Sequence, residues 1–233
     1  MSNREILKPY IILTKFLGNF LGQNYEVVLH DVAAPEKSVI AIENAHISGR
    51  TLGSPLTDLS LKILQDKLYL KQDYISNYIS MTSSGKQVKS ATYFIKDEDN
   101  NLMGLLCINM DTNRFLDIQK IVDSFMGTSD DYFDLCDKPH FNKSIEKQPE
   151  KPKIIEENLS TSTLEELTSN IVNQVLDNAV AEPERMSADE KIAIVSELQE
   201  KGVFLLKGSV IEVAERLKTS EATIYRYLKQ LSR

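Results

Sequence analysis

The last 25 residues constrain this chain more tightly than any other stretch. Val210, Val213, Ala214 and Leu217 recur at i, i+3, i+4 and i+7, which gives a short helix one apolar face. Lys218-Thr219-Ser220 interrupts the pattern, and Ser220 is suited to cap a following helix. Ile224, Tyr227, Leu228 and Leu231 then repeat the same spacing. Two short amphipathic helices across a three-residue turn, apolar faces inward, make a helix-turn-helix. Ala214 is small enough for the second helix to cross closely over the first. In such a motif the start of the second helix enters the DNA major groove. The geometry sends Glu221, Ala222, Tyr225, Arg226 and Lys229 outward; with Ser220 and Thr223 they form the candidate DNA-binding set. Arg226 suits a bidentate contact to guanine, Glu221 can accept from cytosine, and Lys229 suits a phosphate. The expected partner is double-stranded DNA. The competing reading is a helical hairpin that contacts another protein and no DNA.

The net charge of −7 speaks against nucleic acid only until it is divided along the chain. Residues 1–129 hold 13 Lys/Arg against 14 Asp/Glu, and residues 130–184 hold 5 against 13. Residues 185–233 hold 9 against 7, and within them residues 207–233 carry six cations and three carboxylates. The acidity therefore sits in the middle, and the end of the chain is basic.

The N-terminal part has a different pattern. Ile6, Leu7, Tyr10, Ile11, Leu17, Phe20 and Leu21 predict a helix ended by Gly22. Strands are predicted at Glu26–His30, Val39–Ile42, Val88–Lys96 and Leu102–Met110, the last two as a hairpin across the polar run 97–101. A helix is predicted over Leu56–Gln65 and another over Ile118–Phe125. This order is α+β with an antiparallel sheet. Residues 127–160, with Pro139, Pro149 and Pro152 and many charges, are expected to be an acidic flexible linker. Residues 161–184 are expected to form a connecting helix, with dimerisation and core packing as its two possible uses. Residues 185–233 are expected to form the helical DNA-binding domain. Thr163/Glu166, Ser187/Glu190 and Ser209/Glu212 each have capping-box spacing.

Catalytic and metal chemistry find little support. His30 and Asp31 are adjacent in a strand and so point to opposite faces. His30, His46 and His140 have no ligand spacing, and Cys107 in an apolar strand is expected to be inert. No enzyme, metal or cofactor is expected, a small-molecule enzyme being the remote alternative. The longest apolar run, Leu102–Met110, is about half a membrane span. Arg4, Glu5, Lys8 and Lys15 break up the N-terminus, so a cytoplasmic protein with no membrane contact is expected. One loop is unusually polar. Asn44, His46, Ser48, Arg50, Ser54, Thr57 and Asp58 either satisfy one another or line a small-molecule site, with Arg50 able to pair with an anion.

The segments VVLHDV at 27–32, IAIENAHISGR at 40–50 and GSPLTDLSLKIL at 53–64 resemble the YheO-like PAS family. LKTSEATIYRYL at 217–228 is similar to the recognition segment of many bacterial repressors, in which Gly often stands where this chain has Lys218. The resemblance covers roughly residues 5–125 and 185–231. It implies a PAS-like sensor domain over 1–126, a five-stranded antiparallel sheet with flanking helices, followed by an all-α helix-turn-helix domain. It further implies a bacterial transcriptional regulator. A homodimer is expected, because one recognition helix reads few base pairs. A small-molecule effector is expected at the N-terminal domain.

Overall fold

The computed structural model describes residues 3–126, 156–159, 163–179 and 182–231. Most of the expected linker lies outside these residues. The first helix, α1 (Asn3–Leu21), leads into β1 (Tyr25–Asp31) and β2 (Val39–Glu43). Then come α2 (Asp58–Gln65), β3 (Tyr74–Met81), β4 (Gln87–Lys96), β5 (Leu102–Asp111) and α3 (Asn113–Met126). The sheet runs in the order β2-β1-β5-β4-β3-β6, where β6 (Glu156–Asn158) follows the undescribed segment. Every pairing is antiparallel except β6 on β3, so the sheet has six strands and is mixed, not five-stranded and antiparallel.

The β4–β5 turn forms because Asp97 folds over its own backbone, its Oδ1 accepting from the Asp99 and Asn101 N–H groups. β3 breaks the alternation that reveals a half-buried strand. A bulge falls between Ser76 and Tyr78, with Asn77 at φ 60°, and the burial pattern loses its period there. β6 is three polar residues, Glu-Glu-Asn, with no strand propensity, and it forms because β3 offers an unpaired edge.

The two faces of the sheet differ. On one, Val27, Leu29, Ile95 and Leu106 pack against Leu7 of α1. Gly104 permits this closeness: a Cβ there would stand 2.6 Å from Leu7 Cδ2 and 2.7 Å from the His30 carbonyl oxygen. On the other face Val28, Leu105, Cys107, Phe94 and Tyr78 join Leu56, Leu61 and Ile63 around α2 in a larger core.

The C-terminal region contains α4 (Leu164–Asp177), α5 (Ala188–Glu200), α6 (Ser209–Arg216) and α7 (Glu221–Leu231). Thr163 and Ser187 close the capping boxes that open α4 and α5. The third box does not form. Gly208, at φ 83°, precedes α6, the Ser209 hydroxyl donates to the Leu206 carbonyl, and Glu212 accepts from Ser169 of α4 instead. Leu167, Ile171, Val172 and Val175 of α4 are buried with Val195, Leu198, Val213 and Leu217. The α4 stripe thus packs within its own chain. The same core continues to α2, where Gly202 at φ 73° meets the Leu61 backbone; a Cβ would lie 3.0 Å from the Leu61 carbonyl oxygen.

Candidate DNA interface and buried polar cluster

α6 and α7 cross with Val213, Ala214, Leu217, Ile224 and Tyr227 buried between them. The turn closes through the Thr219 N–H donating to the Ala214 carbonyl at 2.9 Å, and Ser220 Oγ accepts from the Thr223 N–H. Lys218 stands at φ 50°, the left-handed conformation that glycine adopts most readily. The turn therefore reaches the glycine geometry without glycine. Ser220, Glu221, Ala222, Tyr225, Arg226 and Lys229 are exposed, and Thr223 is half-buried. The Arg226 guanidinium lies 5.6 Å from the centre of the Tyr227 ring, which restricts the long side chain before any contact is made. The result is a helix surface with two cations, an exposed tyrosine and small residues at its N-terminal end.

The second constellation lies inside the N-terminal sheet. Its inner face carries a row of polar side chains joined across strands. Ser48 Oγ donates to Glu26 Oε2 at 2.6 Å, and Asn109 Nδ2 donates to Glu26 Oε1 at 2.8 Å. Ser90 Oγ donates to Asn109 Oδ1 at 2.8 Å and lies 2.8 Å from Ser80 Oγ. Ser80 Oγ also lies 2.6 Å from Glu157 Oε2, and its single proton can serve only one of these neighbours at a time. Thr57 Oγ1 donates to Glu157 Oε1 at 2.6 Å. The row runs from β1 across β5, β4 and β3 to β6, and its register explains it: Glu26 pairs with Asn109, and Asn109 with Ser90.

Arg50 sits among these groups, only 3% exposed. Its Nη2 donates to the Pro55 carbonyl, while Nε and Nη1 have no partner among the described residues. Glu157 and Glu26 act on it electrostatically, against a burial that lowers its pKa. Burial raises the Glu26 carboxyl. Burial and then the Glu157 charge push Asp58 up to about 6. Burial, and next Arg50, hold the His30 imidazole well below its usual range. Neutral His30 donates through Nδ1 to Ser38, whose own proton goes to the Ser54 carbonyl. Burial first, and then Glu157, push the Cys107 thiol up to about 12, so it is not a thiolate nucleophile at neutral pH.

The polar loop thus divides. Asn44 Nδ2, with two protons, lies within hydrogen-bond distance of the carbonyls of Gly18, Gly22 and Tyr25, nearest to Tyr25 at 2.7 Å, and His46 Nε2 contacts the Gln23 carbonyl, so both fasten α1 to β1. Ser54 Oγ accepts from the Thr51 N–H and holds the loop's own turn. Ser48, Arg50, Thr57 and Asp58 are gathered at the sheet interior. Thr57 caps α2, and Asp58 Oδ1 accepts from the N–H groups of Leu59 and Asn158. Glu26, Ser80, Ser90, Asn109 and Glu157 were missed. Ser90 and Asn109 carried a usable signal, as polar residues at inward positions of predicted strands, whereas Ser80 sits on the irregular β3. Glu157, in a charged segment, carried none.

A PAS-like sheet domain followed by a helix-turn-helix is the arrangement of a transcriptional regulator. Residues 1–127 match the YheO-like PAS domain family and residues 167–229 match a helix-turn-helix domain. The chain belongs to the YheO-like PAS family. It is 29% identical over 226 residues to the YheO protein of Escherichia coli (strain K12), covering 97% of this chain and 85% of that one. A protein of Haemophilus influenzae is 27% identical over 231 residues, covering 99% of this chain and 93% of the relative. The transcriptional regulator DauR of Pseudomonas aeruginosa is 22% identical over 232 residues, covering 99% and 96%. Among the described residues no helix is long and apolar enough to cross a membrane.

Proposed function

We propose that this chain binds operator DNA through α7 and that a small molecule held in the N-terminal sheet controls that binding. The observation that carries the first half is the exposed face of α7 behind a tight turn. Arg226 and Tyr225 stand where a recognition helix meets base edges, with Lys229 placed for the backbone. Glu221, Ala222 and Thr223 line the close approach, and Ser220 presents its capped end to a phosphate. The chain's role on this reading is regulatory and not enzymatic, and its place is the cytoplasm.

The second half is supported by the buried polar row and by Nε and Nη1 of Arg50, which have no partner among the described residues. A buried cation with free donors is costly unless something pairs it. Of the polar loop, Arg50, Ser48, Thr57 and Asp58 lie where a ligand would be held; Asn44, His46 and Ser54 shape the wall.

A homodimer completes the reading. Phe16 and Phe20 of α1 and Ile118, Ile121 and Phe125 of α3 are exposed, Phe20 by 76% and Phe125 by 86%. Apolar helix faces of this kind suit a second copy better than solvent. Two copies would also present two α7 helices to two half-sites. Recovery of genomic fragments by the full chain, and loss of that recovery in Arg226→Ala, tests the proposal. A chain that retains no sequence above random DNA would favour a protein partner for the hairpin instead.

A further inference from the structure

Glu157 belongs to the segment that enters α4, yet its side chain is seated in the N-terminal sheet. It is 4% exposed; Oε1 accepts from the Thr57 hydroxyl, and Oε2 lies 2.6 Å from the Ser80 hydroxyl, which it shares with Ser90. Arg50 Nε and Nη1 carry three N–H bonds without acceptors among the described residues, and Glu157 acts on the guanidinium electrostatically without forming an ion pair with it. A cleft of about 610 Å³, bounded by Asp58, Met81, Glu157 and Asn158 on one side and by Leu167 and Ile171 of α4 on the other, reaches Glu157 from outside.

We propose that Glu157 is a tethered occupant of a carboxylate seat, and that a small free carboxylate taking the seat beside Arg50 undocks β6. This rests on the reading that the sheet senses a small molecule, and it adds the ligand's chemical class and the route of the signal. The two hydroxyls are placed for a carboxylate whichever molecule carries it, and the free N–H bonds of Arg50, which Glu157 does not take up, can pair with one that is not tethered. Exchanging one carboxylate for another leaves the balance among Arg50, Glu26 and Asp58 unchanged. Adding a second carboxylate with Glu157 in place sets like charges together in a desolvated site, so binding and ejection are coupled.

β6 is a short, three-residue edge strand, held by its pairing with β3, by the Leu159 N–H donating to the Met81 carbonyl at 2.7 Å, by the Asn158 N–H to Asp58 at 3.1 Å and by Leu159 packed with Ile47 and Val88. α4 starts five residues after Leu159 and contacts α6 through Ser169 and Glu212. Freeing β6 therefore loosens one of the two ties between the helical region and the N-terminal domain, the other being the packing of Gly202 on α2.

The test uses the full chain with acetate, lactate, glycine, benzoate and succinate, each beside its amide at matched ionic strength. Calorimetric titration measures binding, and hydrogen exchange follows residues 156–159. At least one carboxylate should bind, its amide should not, and exchange at 156–159 should speed up in the complex. Glu157→Gln, which keeps a hydrogen-bonding side chain but removes the competing charge, should bind that carboxylate about tenfold more tightly. Arg50→Gln should lose it. Binding with exchange at 156–159 unchanged or slowed would overturn the proposal, as would equal affinity in Glu157→Gln. An amide that binds parent and Arg50→Gln alike would keep ligand sensing and overturn the carboxylate seat. No binding by any of the ten compounds, to the parent or to Glu157→Gln, would overturn both.

Discussion

Arg226 and Lys229 share the exposed face of α7 but should fail differently when removed. Arg226→Ala should cost about 1–3 kcal/mol against the operator and little against random DNA, because a bidentate base contact carries sequence information. Lys229→Ala should weaken all sequences alike and lower the salt slope by about one. Titrations at several salt concentrations separate the two. Asp58 makes a prediction about pH. Its carboxyl is pushed up to about 6 in the folded chain, whereas an unfolded Asp titrates near 3.9. The folded state therefore holds the proton more tightly, and stability falls as pH rises from about 4 to about 6, by an amount on the order of 3 kcal/mol. Asp58→Asn should melt higher than the parent at pH 7.5 and show a flatter dependence across that window. A lower melting point at pH 7.5 would mean that the ionised group's bonds to Leu59 and Asn158 outweigh its burial. The individual side chains were unevenly legible. The outward set on α7 follows from helical spacing alone. Arg50 was visible as a cation in a polar loop, but its unpaired N–H groups depend on where Pro55 and Glu157 come to lie, which no local pattern contains.

At the scale of elements, one close approach and one turn hold the helical region in place. Gly202→Ala should destabilise the chain by about 1–3 kcal/mol, since the new Cβ meets the Leu61 carbonyl at 3.0 Å and the backbone stands at φ 73°. Denaturant melts would show this; an unchanged midpoint would mean that α2 and the helical region yield easily. Lys218 has the reverse problem, a side chain at φ 50° with no need for one, and Lys218→Gly should leave the fold intact and raise stability by up to about 1 kcal/mol. Elements with a helical period or a compact apolar run bounded by turn residues were readable from sequence: α1, β1, β2, β4, β5 and both hairpin helices. β3 was not, because its bulge at Asn77 puts consecutive residues out of phase with the pleat. β6 was not, because its pairing is supplied by the edge of β3 and by nothing in Glu-Glu-Asn. The capping boxes show the same limit. Thr163 and Ser187 cap as their spacing predicts, but Ser209 follows a glycine that already turns the chain, and Glu212 is drawn to Ser169.

At the scale of the whole molecule, the two regions share one core and the polar row reaches from β1 to the strand before α4, so the proposed ligand and DNA sites are joined through packed atoms. Dimerisation should depend on α1 and α3. Phe20→Asp with Phe125→Asp should convert a dimer to a monomer in light scattering and weaken operator binding, while leaving the helical content unchanged. A parent chain that is monomeric at micromolar concentration would remove the dimer from the account. The central claim is that α7 reads DNA, and footprinting on fragments selected from genomic DNA by the full chain tests it most directly. The expected result is a protected site with two half-sites about 34 Å apart, or a multiple of that spacing, lost in Arg226→Ala. A selection that enriches no sequence, or a footprint that Arg226→Ala reproduces at the same concentration, would contradict it.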